Sequence, residues 1–373
     1  MFNNTLSIVF RFPRFEGQAV VSGEVKNAFH FTNELVSKSK KSTIISFEED
    51  ADKDVIEQDG ALTIVRLKTP KARGVVRYFI RAFAARRAIR QLPDRDFELV
   101  HSHLTYGSIA AAMAGFRKVL ITTPHGTNFQ EISTELTQSF KDRLRFLNSV
   151  LQRELDSLAM NLSRLNVSVS VFQISDMKEC YRCKAPISVV YNGVPDYYQP
   201  LDQSKKHDIL FVGRACKKKG LDVVKELAEN QYRDRSFKVV LGDKIFDTLE
   251  PSFLADLAQL PNVDVTYNVS ELGLVQLINE SKVLLVPSRG YESLPTVIME
   301  AVACGTPVVA TRAWGVPEVI LNEKLMFEED VLSDIIDCVE HAWDNGFSSA
   351  DYSNKQLCQE HTKLLKTFAE DLS

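Results

Sequence analysis

Two doubly wound α/β domains separated by a cleft are the fold class that the 373-residue sequence predicts, on three observations. Short apolar runs alternate with helix-period stretches along the whole chain. The alternation pauses once, in the polar, proline-bearing stretch "PDYYQPLDQSKK" at 195–206, which reads as a linker, and then restarts in the same form. The composition, 45% hydrophobic and 25% charged, suits a globular chain long enough for two domains.

Taken in order, Leu6–Phe10, Thr43–Phe47, Leu62–Leu67, Phe97–His101, Val119–Thr122, Val167–Val171 and Ile187–Tyr191 are runs of strand length and form the strand series of a first domain, 1–195. In "VSGEVKNAF", Gly23 stands ahead of the first helix and Glu24 in its first turn. The segment 72–92, "ARGVVRYFIRAFAARRAIRQL", is a cationic amphipathic helix with two available placements. It can lie on anionic lipid, or pack Val75, Val76, Phe79, Ile80 and Phe83 on the domain sheet with its arginines in water; the second is expected. After the linker, Ile209–Gly213, Phe237–Leu241, Val263–Tyr267, Val283–Pro287 and Val308–Ala310 give the strands of a second domain, 207–350. Residues 351–373 read as a helical tail placed against the first domain.

With 45 basic and 49 acidic residues, net −4, the chain has no global field to recruit nucleic acid or membrane. No basic leader precedes the first apolar run and no stretch of eighteen apolar residues occurs, so a soluble cytoplasmic protein is expected. Cys180 and Cys183 form a CxxC without the second pair of a zinc ribbon and are read as thiols.

The chemistry gathers at strand ends. Strand "ILFVG" runs into "RACKKKGLDVV", putting Arg214 and Lys217–Lys219 on a loop before a helix at Leu221, where anions bind open parallel sheets; Arg214 and Lys219 suit a diphosphate. "TTPHGTN" carries His125 beside Gly126 after another strand. In "SRGYESLPTVIMEAVACGTPVVA", Glu300 falls inside an apolar helix that Pro295 opens in its first turn and Gly305 with Pro307 closes. A buried carboxylate of this kind requires a partner or a polar ligand. "DRD" at 94–96 has the look of a metal-binding carboxylate pair, but it precedes a strand, at the end remote from the other motifs, and is read as a surface turn.

"FVGRACKKKGLD", "YNGV" and "VPSRGYESLPTVIMEAVACGTPVVATRAWGVPEVI", with seven residues between Glu292 and Glu300, resemble the retaining glycosyltransferases of family 4 along the whole chain. The resemblance implies the GT-B fold, two Rossmann-like domains facing each other across a cleft. It implies a nucleotide-diphosphate sugar as donor. No cofactor is expected, and no metal, because Arg214 and Lys219 can neutralise the charge a metal would; the acceptor expected is a saccharide, or a lipid-linked saccharide if 72–92 touches membrane. By it, Glu300 binds the donor ribose, Glu292 the transferred sugar, and the backbone near Thr296 and Val297 the phosphate. Arg214 and Lys219 neutralise the leaving diphosphate, His125 contacts the sugar, and Gly23 lets the first loop approach the donor. Where many relatives have "GFG", this chain has "SLP", so fewer or shifted phosphate contacts are expected around Pro295. A GT-B-type nucleotide-sugar epimerase and a non-catalytic nucleotide-sugar-binding module are the alternatives. Glycoside hydrolysis by Glu292 and Glu300 would need both carboxyls at one bond.

Overall fold

In the computed structural model, which describes residues 2–12, 23–49, 52–125, 140–245, 249–250 and 252–353, the apolar runs become two sheets in two compact units that meet in sequence at Gly193 and Val194. The first unit has strands β1 (Phe2–Ile8), β2 (Ser39–Glu48), β3 (Val55–Asp59), β4 (Leu62–Lys68), β5 (Leu99–Ser102), β6 (Leu120–Thr122), β7 (Leu165–Ser168) and β8 (Ile187–Val189), in the order β3-β4-β2-β1-β5-β6-β7-β8. Its pairings are parallel except β3 with β4. Its helices are α1 (Gly23–Ser37), α2 (Gly74–Gln91), α3 (Thr105–Met113), α4 (Phe140–Leu162) and α5 (Val171–Glu179).

The second unit has β9 (His207–Ala215), β10 (Phe237–Ile245), β11 (Val263–Tyr267), β12 (Ser281–Val286), β13 (Val308–Thr311) and β14 (Met326–Phe327), all parallel, in the order β11-β10-β9-β12-β13-β14. Its helices are α6 (Leu221–Glu229), α7 (Phe253–Ala258), α8 (Glu271–Asn279), α9 (Thr296–Ala303) and α10 (Leu332–Asn345). Leu210, Val239, Val283, Leu284, Val308 and Val309 are almost wholly buried, as central strands covered on both faces must be. In each sheet the strand order reverses beside the first strand, at β1/β5 and at β9/β12. Such switch points open a crevice outside the carboxyl ends of the strands.

The structure corrects several sequence expectations. Strand β3 was unforeseen because "VIEQD" lies at a sheet edge and has no apolar run. The run Val167–Val171 ends as a strand at Ser168, since Ser170 caps α5 by accepting a hydrogen bond from the Gln173 N–H at 3.1 Å. The linker is fastened to the second unit: Tyr198 is buried, and Asn279 accepts from the Leu201 N–H at 2.7 Å while donating to the Gln199 carbonyl at 3.2 Å. Helix α2 faces the other way round. It buries Tyr78, Arg81, Ala82, Ala85, Ala88 and Ile89 and exposes Val76, Phe79 and Phe83, because its alanines, with Ala110 and Ala111 of α3, allow close helix packing in the core. Residues 13–22, Gly126 and residues 354–373 of the expected tail lie outside the described residues.

Candidate functional site

At the β9/β12 switch the sequence brings two segments together. Strand β9 runs on to Ala215, which pairs with Ile245, so Arg214 is an exposed residue of the strand and not of a loop. Lys217–Lys219 then form a single 3-10 turn ending at Gly220, which has φ +71°. A Cβ at Gly220 would collide with the Pro287 carbonyl, so the basic turn is seated directly against the end of β12. Arg289 locks the two together. Its N–H donates to the Lys218 carbonyl at 2.8 Å, its guanidinium reaches both carboxylate oxygens of Asp222 at 2.6 Å, and it pairs with Asp330.

On this frame Lys219 forms an ion pair with Glu292, joining the cation expected at the diphosphate to the acid expected at the sugar. Burial pulls the ammonium pKa of neighbouring Lys218 down, with Glu292 opposing the shift. The Ser288 hydroxyl is buried and has no hydrogen-bond partner among the described residues. Pro295 is the residue before α9, one position earlier than expected, which leaves Thr296 and Val297 to open the helix with outward N–H groups. One turn further on, Glu300 is 4% exposed. It is the next cause, after burial, that raises the phenol pKa of Tyr198, a linker residue; burial chiefly pushes the Cys304 thiol up to about 12, Glu300 adding to it. Tyr197 donates its hydroxyl to the buried Glu271.

The first unit has its own site at the β1/β5 switch, a cavity of about 380 Å³. Arg77 and Arg81 of α2, His103, His125, and Arg153 and Asp156 of α4 line it, with Phe10 from the end of β1. His103 Nδ1 and His125 Nε2 share a hydrogen bond at 2.9 Å between stacked rings, so at least one of those two nitrogens carries no proton. Behind them His101 Nε2 meets Thr123 Oγ1 at 2.8 Å. The Thr105 hydroxyl donates to Asp156 at 2.5 Å, and burial nevertheless pushes the Asp156 carboxyl up to about 7. Arg81, 2% exposed, pairs with Glu49 at 2.6 Å and lies over the Phe10 ring.

The structure therefore unites Lys219, Glu292, Thr296, Val297 and Glu300 around one end of one sheet, with Arg214 on the adjoining strand. His125 belongs to the cavity of the first unit, and Gly23 is the first residue of α1, not a residue ahead of it. Asp94 of the "DRD" turn lies before β5, at the opposite end of that strand from His103, where it bonds Lys41 at 3.2 Å. Sequence reasoning missed His103, Tyr198, Arg289 and Ser288. The alternating "HSH" at 101–103, at the close of an apolar run, was the available signal for the first.

Residues 21–196 match Glycosyltransferase Family 4 and residues 206–345 match Glycosyl transferases group 1. A relative described as an uncharacterized 41.2 kDa protein in cps region, from Klebsiella pneumoniae, is 26% identical over 318 residues, covering 75% of this chain and 82% of its own. Among solved structures, sucrose-phosphate synthase from Thermosynechococcus elongatus superimposes with a TM-score of 0.73 at 15% identity, over 99% of this chain and 97% of that one. HepE from Anabaena, in complex with UDP and glucose, gives 0.64 at 15% identity, with the same two coverages.

Proposed function

Since the chain belongs to the family 4 glycosyltransferases of group 1, with the GT-B fold, we propose that it moves a sugar from a nucleotide-diphosphate donor to an acceptor hydroxyl with retention and without a metal ion. Glycan, polysaccharide or glycolipid assembly on the cytoplasmic side is the setting. The Lys219–Glu292 pair, fixed at a switch point beside the N-terminus of α9, is the observation that carries this reading. Lys219 and Arg214 supply charge to the diphosphate, the N–H groups of Thr296 and Val297 supply hydrogen bonds to phosphate oxygens, and Glu300 accepts from the ribose hydroxyls. Glu292 holds Lys219 in place and takes hydroxyls of the transferred sugar. His125 and Gly23 are assigned to the sugar and the donor by likeness to the family.

No carboxylate on the first unit is placed by this reading as a nucleophile. Retention then follows from front-face substitution, in which the departing phosphate takes the acceptor's proton while the sugar passes through an oxocarbenium-like state. Cations aimed at that phosphate stabilise the transition state more than the ground state, because charge grows there as the bond breaks. Arg214→Ala is expected to lower kcat by about 10²-fold or more. His125→Ala slows transfer and leaves nucleotide affinity in place.

The test is incubation with UDP-, GDP- and ADP-sugars and mass spectrometry of released nucleotide; UDP-glucose heads the panel because HepE was solved with UDP and glucose. Acceptor-dependent release of a nucleoside diphosphate is expected, with most activity surviving EDTA. No release from any donor, an NMR coupling that shows inversion, or full loss in EDTA reversed by Mg²⁺ or Mn²⁺ would each overturn the corresponding part.

A further inference from the structure

The reversed facing of α2 leaves large apolar side chains in water. Val76 is 63% exposed, Phe79 45% and Phe83 57%, and the same helical stripe continues through exposed Arg90 and through Arg87, which pairs with Asp54 at 2.7 Å. Between Asp59 and Asp94 the sequence holds no acidic residue. Helix α4 lies against α2: the Tyr78 hydroxyl donates to the Leu155 carbonyl at 3.3 Å, and Asn148 accepts from the Val75 N–H at 2.9 Å. It repeats the pattern with exposed Leu144, Leu147 and Leu151 on one face and exposed Arg143 beside them. No helix among the described residues is long and apolar enough to cross a membrane.

Exposed leucines and phenylalanines are ordinary when scattered singly, and informative when they form rows on two packed helices. A second copy of this chain is a poor cover for these rows, because it would set arginine against arginine. The charges instead complement an anionic surface, and they are local to a chain whose net charge is −4. A layer that is apolar within and negative at its boundary satisfies both side-chain types at once. The rings and leucines enter the acyl boundary while the long arginine stems let their guanidinium groups reach phosphates.

We infer that the α2–α4 face of the first unit lies on an anionic lipid surface, with Phe79, Phe83 and the α4 leucines at the headgroup boundary. The same two helices wall the cavity that holds His125. Together with the glycosyl-transfer reading, on which this step rests, the placement makes a lipid-linked saccharide the acceptor class.

Co-sedimentation of the full chain with vesicles tests the surface. The comparison is three parts phosphatidylcholine to one part phosphatidylglycerol against phosphatidylcholine alone. Binding is expected with the anionic vesicles, falling as salt rises. Phe79→Ser with Phe83→Ser should weaken it about tenfold or more, and Arg90→Glu with Arg143→Glu several-fold, while circular dichroism and nucleotide release with a soluble acceptor stay unchanged. Equal or absent sedimentation with the two vesicle types, or variants that bind as the parent does, would overturn the inference. So would a dimer in analytical ultracentrifugation that the serine variant dissolves, or an acidic protein that competes for Phe79 and Phe83 while vesicles do not. Vesicle binding is read without turnover, so a failed transferase assay and a failed membrane assay remain separate results.

Discussion

Glu300 and Asp156 are both carboxyls away from bulk water, and they predict different behaviour. Glu300 sits on a helix next to N–H groups that face the proposed phosphate, and replacing it by an amide keeps the shape while removing the anion. Glu300→Gln is expected to weaken nucleotide-sugar binding by about 1–3 kcal/mol, measured by calorimetry, with the fold intact; unchanged affinity would make the residue part of a structural charge pair. Asp156 titrates at about 7 in the folded chain, raised by burial, against about 4 when unfolded. Between those values the folded state holds the extra proton, so this group favours folding at the acid side of the window and loses that contribution as pH rises through about 7. Urea unfolding at about pH 5.5 and about pH 8 should therefore show the parent losing more stability than Asp156→Asn, by up to a few kcal/mol. Parallel pH profiles for the two proteins would sink the assignment.

At the scale of elements, the turn from Lys217 to Gly220 depends on one backbone conformation and one close approach. Gly220→Ala meets both a φ of +71° and the Pro287 carbonyl, and is expected to cost about 1–3 kcal/mol and to lower nucleotide affinity by displacing Lys219. Gly242→Ala in β10, where nothing stands within 4 Å of the added atom, is the control and should be tolerated. A thermal midpoint unmoved by the first substitution would show that the turn adapts. The strands of both sheets were largely legible because central parallel strands are apolar on both faces and so stand out as runs. Edge strands such as β3 carry no such signature. For α2 the periodicity was legible and the direction was not: the helix has two apolar sides, one of alanines and one of phenylalanines, and only the distance to α3 decides which goes inward. In the same way, Lys219 and Glu292 could each be read from a motif, but their pairing across 73 positions needs the β9 and β12 ends side by side.

For the whole molecule, ligand binding and folding belong to the same balance. A nucleoside diphosphate that binds only the folded second unit adds about 2.7 kcal/mol to its stability at a hundred times the dissociation constant. Hydrogen exchange with UDP present should accordingly slow around Arg214–Asp222 and Pro287–Glu300, with little change in β2 or β4; uniform slowing over both units, or none at all, would speak against a donor site at the β9/β12 switch. The strand pairings also carry a consequence in time. The antiparallel pair β3 and β4 is joined by a turn around Gly60, whereas parallel neighbours need a crossover before they can meet. Among the described residues it is the one strand pair that can close in microseconds from purely local encounters. The second unit, all parallel, has to wait until distant segments have found each other. A freshly diluted chain should therefore order residues 55–68 first and complete its β9/β12 end late, so the nucleotide can speed no early step of refolding and can only trap the finished state.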